Sequence, residues 1–138
     1  MNEYKFFEIN IGQEESFEVI VTEEMMQSFK ETTGDINPLH NDESYAKEQG
    51  FDGKVAFGML SASFLSTLAG VYMPGKYSLI QNVNVEFPHP VYVGEKLKVK
   101  GTVTEKNDTF NFIVIKVLIT NEDGQKKVKG NMRIGVIK

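Results

Sequence analysis

Between Val55 and Met73 the chain carries no charged residue. A helix drawn through that stretch has no face that favours water, so the rest of the molecule must cover it or a membrane must hold it. A spanning helix needs about 20 predominantly apolar residues. This segment is borderline in length, contains Gly58, Ser61, Ser63, Ser66, Thr67 and Gly70, and ends at Pro74. It therefore reads as a helix from about Phe57 to Tyr72, apolar on all sides and buried inside a folded protein, not as a membrane span.

The cover has to come from the remaining residues, and the pattern after residue 77 is one of strands. Ser78 to Phe87 alternates through Val83, Val85 and Phe87, and Lys96 to Thr104 alternates strictly between polar and apolar. Phe110 to Thr120 is denser in apolar residues, Glu122-Asp123-Gly124 makes a turn, and Lys126 to Ile137 reads as a last strand. Pro88 to Glu95 is a stiff connection. Before the charge-free segment, residues 3–9 and 15–21 read as short strands. Thr22 followed by Glu23 and Glu24 starts a helix that carries Met25, Met26 and Phe29 and breaks near Gly34. Asp42 to Gly50 reads as a second, short helix. The fold class is α+β: an antiparallel sheet curved around one long helix.

The length of 138 residues suits one domain, residues 1–138. A net charge of -4 gives no basic face for nucleic acid. With no cysteine there is no disulfide, thiolate nucleophile or cysteine zinc site, and the two histidines lack metal-ligand spacing. Met1 to Lys5 lacks the apolar core of a signal peptide, so the expectation is a cytoplasmic protein.

Proton chemistry near neutral pH has few candidates here. Asp35 and His40 stand five positions apart in Asp35-Ile36-Asn37-Pro38-Leu39-His40, a loop that Asn-Pro stiffens. The same run is ordinary turn chemistry, in which Asp35 only caps Asn37 or a neighbour. Met25, Met26 and Phe29 suit either a core or an apolar binding wall. Lys96, Lys98 and Lys100 form the wet face of a strand, with attraction of phosphates as a lesser reading. His89, between Pro88 and Pro90, reads as a surface connector.

Gly34 to His40, followed by Ala56-Phe57-Gly58-Met59-Leu60 and by Val85 to Glu95, resembles the MaoC-like dehydratases, the (R)-specific enoyl-CoA hydratases, over nearly the whole chain. The resemblance implies the hot-dog fold, a curved antiparallel sheet wrapped around one long central helix, and pairing into a homodimer. It implies a lyase that adds water across a trans-2-enoyl thioester, or removes it from an (R)-3-hydroxyacyl thioester. Asp35 and His40 would hold and deprotonate the water. Gly58 would offer a backbone N–H to the thioester oxygen from the positive end of the helix. Ser66, two helical turns later on the same face, would support the site. Asn37 would hydrogen-bond in the site or shape its loop.

No cofactor is implied, because the arm of coenzyme A or of an acyl carrier protein belongs to the substrate. The apolar helices around 24–30 and 57–73 should line the acyl site. Two positions depart from the family pattern: Phe57 replaces a histidine common before the glycine, and Lys54 replaces a common proline. Phe57 thus enters as a substrate-side residue that leaves the substrate preference open. Competing functions are a dehydratase of a non-fatty-acyl or carrier-bound substrate, a hot-dog thioesterase, and an acyl-binding module. The thioesterase reading needs a carboxylate on or near the long helix, and Val55 to Met73 has none.

Overall fold

The computed structural model describes residues 1–138. Five strands form one antiparallel sheet in the order β1-β3-β4-β5-β2: β1 is Glu14–Ile20, β2 Ser78–Glu86, β3 Lys96–Asn107, β4 Phe112–Thr120 and β5 Lys126–Val136. Alternation decides which face is covered. Leu97, Val99 and Val103 of β3, with Ile113, Ile115, Val117 and Ile119 of β4, point inward and are buried. Lys96, Lys98 and Lys100 point to the other, wet face.

Against the inner face lies the charge-free helix. It is α-helical over Gly58–Thr67 (α4; α1 to α3 precede it) and widens into a π-helical turn at Leu68–Tyr72. Leu60, Leu65, Leu68 and Ala69 bury themselves against the sheet. The approach is close at Gly101, where a Cβ would stand 3.0 Å from Leu68 Cδ2 and 3.2 Å from Ile115 Cδ1. The expectation of a helix covered on most sides needs correcting: Gly58, Met59, Ser63 and Ser66 are exposed in the single chain. Serine and glycine permit that exposure, and Met59 is left uncovered beside them.

Three shorter helices precede α4. Helix α1 (Glu23–Thr33) begins where Thr22 Oγ1 accepts the Met25 N–H at 3.2 Å. It ends at Gly34, whose φ of 74° is the left-handed geometry that favours glycine. The Asp35–His40 segment is only partly a loop. Asn37 caps a four-residue helix, α2 (Pro38–Asn41), with Pro38 at its first position. Asp42 caps α3 (Glu43–Glu48) through the Tyr45 N–H.

Residues 3–9 do not form the expected strand. Glu3 makes one isolated bridge to Gly75, and Phe6–Glu8 is a single 3₁₀ turn. Phe6 turns into the core, and its N–H bonds the Lys138 carbonyl at 2.8 Å. Strand β3 runs on to Asn107 past a register shift between Val103 and Glu105, and β4 starts only at Phe112. No helix is long and apolar enough to cross a membrane.

Candidate active site

A cavity of about 780 Å³ opens between α4 and β2. Its walls are mostly apolar: Phe29 of α1, Phe57 just before α4, Met59, Ala62 and Leu65 on α4, Ile80 and Val83 of β2, Phe87 just after it, and Met132 of β5. Asp35 and His40 both face this cavity, with Gly58 and Ser66. Asn37 does not line it.

The loop that carries Asp35 is built from local hydrogen bonds. Asp35 Oδ1 accepts the Asn37 N–H at 3.1 Å, and Asn37 Oδ1 accepts the Leu39 N–H at 2.9 Å. The capping role that ordinary turn chemistry gives Asp35 is thus occupied by one carboxylate oxygen. The other oxygen has no protein partner, and the side chain is exposed. Asn37 is spent on the loop: its side chain caps α2 and its carbonyl accepts Asn41 Nδ2 at 2.8 Å.

His40 is held more firmly. Its Nδ1 lies 2.7 Å from the Val55 carbonyl oxygen. A carbonyl can only accept, so Nδ1 carries the hydrogen, and in the neutral ring Nε2 keeps the lone pair. The ring is half-buried and packs on Phe57 with centroids 4.5 Å apart. Phe57 is buried, and its other neighbour is Phe29 at 4.9 Å. Phe57 therefore serves as an apolar wedge behind the imidazole. Asp35 and His40 make no hydrogen bond with each other; they share the cavity, not a proton.

Gly58 opens α4. The Leu60 and Ser61 N–H groups bond the Phe57 carbonyl, while those of Gly58 and Met59 have no backbone acceptor and sit at the positive end of the helix. A Cβ on Gly58 would meet the Phe87 ring at 3.6 Å, an ordinary contact, so close packing alone does not require glycine there. Ser66 is exposed and makes no bond back to the preceding turn. Ser63 does, to the Leu60 carbonyl at 2.6 Å.

Several residues of this cavity were not foreseen: Thr33, Ile80, Val83, Phe87 and Met132. The alternation of β2 marked Val83 as facing one side, but not that this side would be a cavity. Of α1, only Phe29 and Thr33 reach the cavity; Met26 is core, and Met25 lies on a separate shallow groove. Lys96 and Lys100 are paired across strands with Glu18 at 2.8 Å and Glu14 at 3.3 Å, on the face of the sheet away from α4. Hydrogen bonding to Glu18 raises the Lys96 pKa, and the same bond lowers that of Glu18. This pairing argues against the phosphate reading of the stripe. His89 is exposed on its connector and bonds the Lys126 carbonyl at 3.0 Å.

The comparisons agree with this architecture. The family model of the MaoC like domain matches residues 7–125. An (R)-specific enoyl-CoA hydratase of Rhodospirillum rubrum is 31% identical over 115 residues, covering 83% of this chain and 80% of that protein. An (R)-specific enoyl-CoA hydratase of Aeromonas caviae is 31% identical over 103 residues, 75% of this chain and 77% of that one. Among solved structures, R-hydratase PhaJ1 from Pseudomonas aeruginosa superposes with a TM-score of 0.90 at 30% identity, covering 96% of this chain and 84% of that one. Sheet, helix and relatives together define an α+β hot-dog enzyme of the hydro-lyase class. Within that class, the chain belongs to the MaoC-like family.

Proposed function

We propose that this chain, acting as a single domain over residues 1–138, catalyses (R)-specific hydration of trans-2-enoyl-CoA, or the reverse dehydration of (R)-3-hydroxyacyl thioesters. The observation that carries this reading is that a carboxylate, an imidazole and unpaired helix N–H groups line one mostly apolar cavity. The apolar wall suits an acyl chain. Water held by Asp35 and His40 would lose a proton to the bare Nε2 of His40 or to Asp35 as its oxygen bonds the β-carbon. A proton then goes to the α-carbon. The two groups act as a coupled pair, so no separate first step is assigned to either. Charge that builds on the thioester oxygen would be met by the Gly58 and Met59 N–H groups.

Addition of water is redox-neutral, and we propose that it needs no resident cofactor; the thioester arm arrives with the substrate. Phe57 and Ser66 would contact the substrate as apolar wedge and hydroxyl wall. Asn37 would act only through the loop.

We also propose a homodimer in the cytoplasm. The exposed face formed by Met59 of α4 with Ile80, Val83 and Phe87 beside β2 lies at the open sheet edge and at the cavity mouth. A second copy there would cover apolar surface and exclude water from the site.

A dehydratase of a carrier-bound or non-fatty-acyl substrate is the second reading, and Phe57 favours keeping it because it replaces a polar neighbour of the site. The deciding experiment follows the loss of enoyl-thioester absorbance with trans-2-butenoyl-CoA and resolves the product's configuration. Turnover to the (R)-3-hydroxy product supports the proposal. No turnover with CoA thioesters, against turnover of carrier-bound ones, selects the second reading.

A further inference from the structure

The mechanism leaves one ion pair unused, a buried lysine against a partly exposed glutamate. The Lys127 side chain is 1% exposed, and its Nζ lies 2.7 Å from the Pro90 carbonyl, 2.7 Å from Gln125 Oε1 and 3.1 Å from Glu95 Oε1. An ammonium has three hydrogens, and three acceptors take them. Lys127 therefore has no donor left for a phosphate and no lone pair for catalysis. Glu95 is equally occupied: Oε1 also accepts the Tyr92 N–H at 2.8 Å, and Oε2 accepts Asn121 Nδ2 at 2.9 Å.

What the pair holds is the connector through residues 90–92, and that connector holds the catalytic loop. Val91 O accepts the Ala56 N–H at 2.7 Å, and Tyr92 bridges Val55. The Val55 N–H bonds the Leu39 carbonyl at 3.1 Å, and the Val55 carbonyl orients His40. Lys127 and His40 also line the same small cavity of about 270 Å³, as does Gly58. An ion pair with one buried partner is a weak source of net stability, since apolar residues of similar size often serve as well.

We propose that Lys127 and Glu95 are positioning residues: through Pro90–Tyr92 and Val55 they fix the ring orientation and tautomer of His40. The proposal rests on the reading of His40 as the catalytic imidazole.

The test compares wild type with Lys127→Met, Glu95→Gln and the double variant Lys127→Met/Glu95→Leu, which removes both charges together. Nitrogen–proton NMR of the imidazoles, assigned with His40→Ala and His89→Gln, reports which His40 nitrogen carries the hydrogen. Steady-state kinetics with trans-2-butenoyl-CoA separates kcat from KM. We expect Lys127→Met to lose the single Nδ1–H form of His40 and to lower kcat about 10- to 100-fold with KM little changed, the scale of a small misplacement. The double variant should regain thermal stability but not kcat. Wild-type kcat per folded molecule in the double variant overturns the proposal. So does an unaltered His40 tautomer in the variants. Should Lys127→Met fail to fold, Glu95→Gln and the double variant decide alone. A wild type inactive on every thioester refutes the hydratase reading, while the NMR arm still decides the positioning claim.

Discussion

Two residues carry most of the proposed chemistry, and they differ in how firmly they are held. His40 has a backbone acceptor and an aromatic neighbour; Asp35 has one bond within its own turn. Asp35→Asn keeps an oxygen for the Asn37 N–H, so the loop should persist while turnover falls about 10²- to 10⁴-fold, the usual weight of acid–base catalysis. His40→Ala should cost as much, and the double variant little more than either, because a pair that acts as a unit is not additive. Absorbance kinetics with circular dichroism on the same samples checks all three. That Asp35 and His40 line one cavity agrees with the resemblance, which singled them out; the run alone is equally ordinary turn chemistry. The partner of His40 was not legible in the sequence. Val55 contributes a backbone carbonyl from fifteen positions away, and no side-chain pattern advertises a carbonyl. Phe57 was legible as a departure, but its place between Phe29 and His40 depends on how α1 crosses the start of α4.

Elements followed the sequence where burial alternated and departed from it where pairing decided. Strands β3, β4 and β5 were plain because one face of each had to be dry. Residues 3–9 were read as a strand and instead form a turn and one isolated bridge, with Phe6 drawn into the core. The charge-free helix was evident, yet its exposed stripe was hidden, because serine and glycine are neutral between core and surface. Leu68 shows what the buried side contributes: it is 0% exposed and packs on Gly101. Leu68→Ala should reduce stability by about 2–5 kcal/mol in denaturant unfolding. The connector before β3 carries a pH signature. Burial works to raise the Glu95 pKa and is outweighed by hydrogen bonds from Asn121, Tyr92 and Lys127 and by the charge of Lys127, so the net shift is downward from 4.5. A carboxylate lowered by folding stabilises the folded state above its unfolded pKa and loses that effect as pH falls through the lower folded value. Melting temperature should therefore drop as pH falls below about 4.5, and less so in Glu95→Gln.

At the scale of the whole molecule, the single chain has an open side where its site lies. Val83→Lys on that face should leave the fold intact and shift the protein from a dimer to one chain in light scattering, since a charge placed there would be desolvated without a partner. An unaltered mass would remove the dimer from the proposal. Strand order has a second consequence. Strand β2 pairs with β5 alone, and β5 begins some forty residues later in the chain, at Lys126. Until those residues are in place, Ser78 to Glu86 has no ladder to join and α4 has no second wall. The cavity thus depends on β5, and a chain that stops short of it would retain the residues proposed for catalysis without the place in which they act.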